Sequence, residues 1–147
     1  QVIHTLFLGK KSLTLSYSYS VETIYCPMSV NVLTVGHIKL LKKLILKGNV
    51  IIGLLTAKAL KGYKKCDVSY KDRYEVLYEL GLWTKIVSQE TLDPYKNLKK
   101  YRCTHLASGD GFEPIEKESA KKLGVKLLEV NSGSSIHSSD IYDRRRT

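Results

Sequence analysis

Apolar positions in this chain recur at two rhythms, and the rhythms alternate. Residues 23–28 are β-prone and punctuated by Pro27. Residues 50–55, Val-Ile-Ile-Gly-Leu-Leu, are apolar almost without interruption, as a strand covered on both faces must be. Between them, Leu40, Leu41, Leu44 and Ile45 recur at i, i+1, i+4 and i+5, while Lys39, Lys42, Lys43 and Lys47 take the other faces. That spacing predicts a helix over 38–46, opened by Gly36-His37 and closed by Gly48. The same alternation continues. Ser69, with Asp72 three positions on, starts a second helix that runs to about Leu80. Residues 83–87 read as a third strand, 92–101 as helical or irregular, and 104–107 as a fourth strand. Pro114 suits the first turn of a helix closed by Gly124, and 125–130 is a fifth strand. A Ser-rich loop, 132–135, precedes a last helix near Ser138.

Five strand–helix alternations predict an α/β fold: a Rossmann-like three-layer domain with a mostly parallel five-stranded sheet. The domain is expected over 22–147. Residues 1–21 stand apart as an N-terminal extension. Its stretch 13–21 alternates like a strand, has no obvious partner, and reads either as an edge strand or as disordered.

Length and composition fit that domain: 147 residues, 43% hydrophobic and 26% charged with 3 Pro exclude disorder and low-complexity classes. Net charge changes the picture more, because it is +10 and local. Up to Tyr74 there are 12 Lys and Arg against 3 Asp and Glu, a net of +9; the remainder has 12 against 11, a net of +1. A basic surface suits nucleic acid, anionic lipid or a polyphosphate. Here the lysines alternate with apolar positions, so they decorate a fold and do not form a tail. The run Arg144-Arg145-Arg146 reads as a solvated end.

Cys26, Cys66 and Cys103 have no CxxC or zinc spacing, and the four histidines are scattered. Free thiols, no secretory signal pattern and no apolar run near the roughly 20 residues of a membrane span predict a cytoplasmic protein with no membrane partner.

In parallel sheets, ligands bind beyond the carboxyl ends of the strands. Three loops fall at such ends: 29–36, 57–69 and 108–113. In the first, Gly36 and His37 open a helix, whose N–H groups and dipole attract phosphate. A capping or packing histidine is the plainer reading of that pair. In the second, Lys61, Lys64 and Lys65 are close enough in sequence to reach one polyphosphate, and a solvated basic loop is equally open. Ser138 and Ser139 stand at another expected helix N-terminus, where an ordinary N-cap is the alternative. There is no Walker A loop and no GxGxxG.

Several of these blocks resemble one family. Tyr25-Cys26-Pro27-Met28-Ser29 followed by Thr34-Val35-Gly36-His37 is similar to the first strand and HxGH helix of the cytidylyltransferase-like nucleotidyltransferases. The blocks beginning at Gly53, Ser69, Gln89, Ser108 and Ser135 continue the resemblance in order over about residues 22–141. Gly53-Leu54-Leu55-Thr56 and Gln89-Glu90-Thr91-Leu92-Asp93 look most like the phosphonate and alcohol-phosphate members. The resemblance implies transfer of CMP from CTP to a small phosphate- or phosphonate-bearing acceptor, release of pyrophosphate, Mg²⁺ with the nucleotide, and a homodimer. It implies that Ser29, Gly36, His37, Lys61 or Lys64, Arg73, Asp110, Ser138 and Ser139 bind nucleotide, with His37, Lys64 and position 34 in the catalytic set.

The chain departs from that pattern. Thr34 replaces the first His of HxGH, Asn31 stands where an acidic residue is usual, and His137 stands where Ser is usual. Losing one transition-state donor typically costs on the order of 10²–10³ in rate. A catalytically degenerate nucleotide-binding domain is therefore the alternative. ATP in place of CTP is a variant of the first reading. A nucleic-acid module is disfavoured because no RNA-binding signature is present.

Overall fold

The structure is a computed structural model and describes residues 2–9, 11–17 and 22–131. Two strands, β1 (Val2–Leu8) and β2 (Lys11–Tyr17), pair antiparallel in a sheet of their own, from Val2 opposite Tyr17 to Leu8 opposite Lys11. Residues 13–17 of the alternating stretch thus find their partner in the chain that precedes them. Gly9 follows β1 at φ +60, and its N–H donates to the Trp83 carbonyl at 2.7 Å. A Cβ there would lie 2.5 Å from the Gly81 carbonyl oxygen, so only glycine allows this approach.

The remaining elements alternate as the apolar rhythms predict. They are β3 (Glu22–Met28), α1 (Val35–Ile45), β4 (Gly48–Leu55), α2 (Ala57–Leu60), α3 (Tyr70–Leu80), β5 (Lys85–Gln89), α4 (Tyr95–Lys100), β6 (His105–Ser108), α5 (Pro114–Leu123) and β7 (Lys126–Glu129). The five strands β3 to β7 form one sheet, ordered β5-β4-β3-β6-β7, and every neighbouring pair is parallel. The fold is α/β and Rossmann-like.

Strand alternation divides the core in two. Ile24, Cys26 and Met28 of β3, with Val50, Ile52 and Leu54 of β4, pack against Leu40, Leu41 and Leu44 of α1 and Leu77 of α3. Tyr25 and Ile51 point the other way, with Leu98 of α4 and Ala120 of α5. Both faces of β4 are therefore covered, which is why its sequence is apolar at consecutive positions.

Local signals set several boundaries. The Ser69 Oγ accepts from the Asp72 N–H at 3.1 Å and starts α3. Gly124, at φ +69, ends α5 in the left-handed conformation. Residues 57–69, expected as a loop, contain the short helix α2, whose start is fixed by the Ala59 N–H donating to Thr56 Oγ1 at 3.1 Å. The third core strand begins two residues later than its apolar pattern predicts. Trp83 turns back onto α3, its indole N–H donating to the Leu77 carbonyl at 3.0 Å, and ladder pairing starts at Lys85 opposite Ile51. The expected Ser-rich loop and last helix lie outside the described residues.

Candidate functional site

Strand order reverses between β3 and β6, whose following helices cover opposite faces of the sheet. Such a reversal leaves a crevice beyond the carboxyl ends of the strands. A cavity of about 630 Å³ opens there. Its floor is Cys26–Met28 of β3 and Ala107–Ser108 of β6. Three walls come from the N-terminal turn of α1, from Tyr63 and Lys64, and from residues 109–116 leading into α5.

The α1 wall begins at Thr34, the N-cap, which is buried at 8% exposure. Its backbone N–H donates to His37 Nδ1 at 3.0 Å. A ring nitrogen that accepts from a backbone N–H carries no proton, so the imidazole proton sits on Nε2. His37 lines the cavity beside Gly36, and no acidic residue occupies the first turn of α1. Helix dipole and Nε2–H are then both suited to an anion.

The α5 wall has the opposite character. Glu113 is the N-cap, and its N–H donates to Glu116 Oε1 at 2.7 Å. Asp110 precedes it in a turn where Asp110 N–H donates to Ser108 Oγ at 3.2 Å and Gly111 takes φ +98. Burial, and then the nearby charges of Glu113 and Asp110, push the Glu116 carboxyl up, against its hydrogen bond from Glu113 N–H. The protein's own carboxylates thus satisfy the helix end that an anion would otherwise occupy. Tyr63 links the lysine loop to this wall: its hydroxyl donates to Glu113 Oε1 at 3.1 Å. Burial, followed by that bond, raises the Tyr63 phenol.

Behind the floor, Tyr25 donates to Gln89 Oε1 at 2.6 Å and accepts from Asn97 Nδ2 at 2.9 Å. Gln89 Nε2 donates to the Thr91 carbonyl at 3.0 Å, which fixes the loop carrying Leu92 into the cavity. Cys26 also faces the cavity, and burial pushes its thiol up to about 12, so it is neutral near pH 7. After Ser29, Val30 sits at φ +52 with 3% exposure, a left-handed conformation rare for a β-branched residue.

The expected residues divide. Ser29, Thr34, Gly36, His37, Lys64 and Asp110 line one cavity. Lys61 does not: it caps α2 at the surface, and Lys64, one turn on, is the lysine that faces inward. Arg73 does not line the cavity either. It is 1% exposed, and its guanidinium donates to the carbonyls of Val68 (3.1 Å), Ser29 (2.8 Å) and Leu55 (2.6 Å). Direct contact with a nucleotide, expected for Arg73, is replaced by contact with the backbone beneath the site. Ser138 and Ser139 lie outside the described residues. The structure adds Tyr63, Gln89, Glu113 and Glu116 to the cavity lining, none of them an expected site residue. A signal existed for the last two: Pro114 marks a helix start just after a strand end, which places its N-cap and third residue at the same opening.

Among the described residues, no group of three or more His, Cys, Asp or Glu could hold a metal by itself. Among the same residues, no helix is long and apolar enough to cross a membrane.

No family model and no curated protein matches the chain in sequence. Solved structures do match in fold. One is titled as the lipopolysaccharide core biosynthesis protein from Thermoplasma volcanium GSS1: TM-score 0.65, 20% identity, covering 76% of this chain and 98% of that one. Another is a protein with unknown function from Archaeoglobus fulgidus: TM-score 0.58, 17% identity, covering 78% of this chain and 93% of that one. At these identities the likeness shows the shared α/β Rossmann-like fold.

Proposed function

We propose that this chain is a nucleotidyltransferase that moves CMP from CTP to a small phosphate- or phosphonate-bearing acceptor and releases pyrophosphate. The observation that carries this reading is the hydrogen bond from Thr34 N–H to His37 Nδ1 at the mouth of α1. It fixes a proton on Nε2 at a helix N-terminus that has no acidic residue, inside a cavity of ligand size. The order of the family-like blocks along the chain supports it as well.

In this reaction an acceptor oxygen bonds to the α-phosphorus as the bond from that phosphorus to the bridging oxygen breaks. The electron pair leaves with pyrophosphate. His37 Nε2–H, the α1 N-terminus and Lys64 stabilise the charge that develops on the leaving group. No covalent enzyme intermediate is required; holding the two reactants in line is the larger part of the task. The oxygen-only donors Asp110 and Glu113 suit Mg²⁺ held by one or two carboxylates together with substrate phosphates. When bound, Mg²⁺ would neutralise phosphate charge.

Thr34 favours a second reading, a nucleotide-binding domain with little turnover. Its buried N-cap position offers no cationic group where the family has the first histidine of HxGH. Calorimetry with CTP and ATP in Mg²⁺, followed by a pyrophosphate-release assay over phosphonate and alcohol-phosphate acceptors, separates the two. Binding with turnover supports transfer. Binding without turnover for any acceptor supports the degenerate domain, and recovery in Thr34→His would locate the lesion. Binding of neither nucleotide overturns both.

A further inference from the structure

Among the described residues Arg73 is the largest fully buried side chain, and no carboxylate among them pairs with it. Burying a charge without a counter-ion is unfavourable, so its surroundings must compensate in some other way. Three backbone carbonyls do part of this: those of Val68, Ser29 and Leu55. The Tyr70 ring adds a cation–π contact, with the guanidinium carbon 5.7 Å from its centroid. Nη2 remains buried with no hydrogen-bond partner.

Two of those carbonyls matter for the site. Leu55 is the last residue of β4 and Ser29 follows the last residue of β3; both residues line the cavity. Carbonyl oxygens at the carboxyl end of parallel strands are negative and repel a phosphate. Arg73 bonds both through Nη1. Carbonyl dipoles offset only part of a full charge, so a net positive charge stays behind that wall, where low dielectric weakens its screening.

We infer that Arg73 is a positioning residue for a polyphosphate anion: it draws the Ser29 and Leu55 carbonyls onto itself and makes the cavity wall behind them positive. This rests on the reading that the cavity binds nucleotide phosphates. It assigns Arg73 no contact with the ligand.

The test compares wild type with Arg73→Met, Arg73→Gln and Arg73→Lys, using inorganic pyrophosphate and CTP as probes in calorimetry, with circular dichroism to confirm folding. Gln keeps amide donors for the carbonyls but removes the charge; Lys keeps the charge but loses the planar fork. The expected result is a loss of pyrophosphate affinity on the order of tenfold or more in the folded Gln and Met variants, and a loss within about threefold in Lys. A purely structural guanidinium would fail in Lys as badly as in Gln, and that pattern overturns the inference. Wild-type affinity in a folded Gln variant also overturns it, while leaving the anion site intact. If wild type binds neither probe, this inference and the nucleotide reading fall together. Should the Met variant not fold, the Gln and Lys pair decides.

Discussion

Gly53→Ala should destabilise this fold by several kcal/mol, because the added methyl lands on a buried, hydrogen-bonded side chain. Gly53 lies mid-strand in β4, opposite Pro27 of β3 and Val87 of β5, with no left-handed backbone to relieve. A Cβ there would sit 2.0 Å from Tyr25 Oη, 2.4 Å from Tyr25 Cζ and 2.8 Å from Gln89 Oε1. Ordinary contact begins near 3.4 Å, so the Tyr25 ring must retreat by about 1.4 Å within a close-packed core. Overpacking of that kind costs about 1–3 kcal/mol. The retreat also breaks the bond from Tyr25 to Gln89, and an orphaned buried acceptor adds about 1–3 kcal/mol. The expected total is about 2–6 kcal/mol, read as a lowered urea midpoint at unchanged slope. The double variant Gly53→Ala/Tyr25→Phe removes the nearest clashing atom and should cost less than the sum of the two single changes. A Gly53→Ala protein within about 0.5 kcal/mol of wild type would refute the steric account, as would strictly additive single changes.

Three further outcomes follow from the structure. Burial pushes the Cys26 and Cys103 thiols up to about 12 from a usual value near 9, so the folded state holds protons that the unfolded state releases. Their contribution is complete below about pH 9 and is lost as pH rises towards 12, so unfolding free energy should fall over that window at up to about 1.4 kcal/mol per pH unit per thiol; a flat profile from denaturant melts would contradict it. Iodoacetamide at pH 8 should modify half-exposed Cys66 well before either buried thiol, by peptide mass spectrometry; equal rates would show that the core opens freely. Gly9→Ala should weaken docking of the β1–β2 hairpin and change the emission of Trp83, the single tryptophan, because Gly9 donates to its carbonyl; unchanged emission would mean the hairpin tip tolerates a side chain.

Legibility differed with the physical origin of each feature. Helix α5 matches its expected bounds because Pro114 and Gly124 encode both ends in local backbone geometry. Strand β4 was plain because burial on both faces leaves an uninterrupted apolar run. The hairpin was not, since a strand's partner depends on pairing that one stretch cannot reveal. At the site, Gly36 and His37 were legible as a helix opening at a strand end. The choice between Lys61 and Lys64 depends on how α2 turns, which the lysines' spacing does not encode. The Tyr63–Glu113 bond joins residues 50 positions apart. Arg73 was visible as a motif residue, but nothing in a sequence shows which carbonyls a guanidinium will reach.

The left-handed Val30 bears on how the site responds to a ligand. A β-branched residue at φ +52 stores on the order of 1–3 kcal/mol and persists only where its neighbours over-determine it. Here the neighbours are identifiable: the Val30 side chain is in the main core, and the Ser29 carbonyl just before it is held by Arg73. The strain is met by contacts made within the folded chain itself. Residues Ser29 to Thr34 therefore enter binding already shaped, and association need not spend free energy on ordering that part of the loop. Val30→Gly would remove the strain and the apolar anchor together, turning a preset turn into one that a ligand would have to organise.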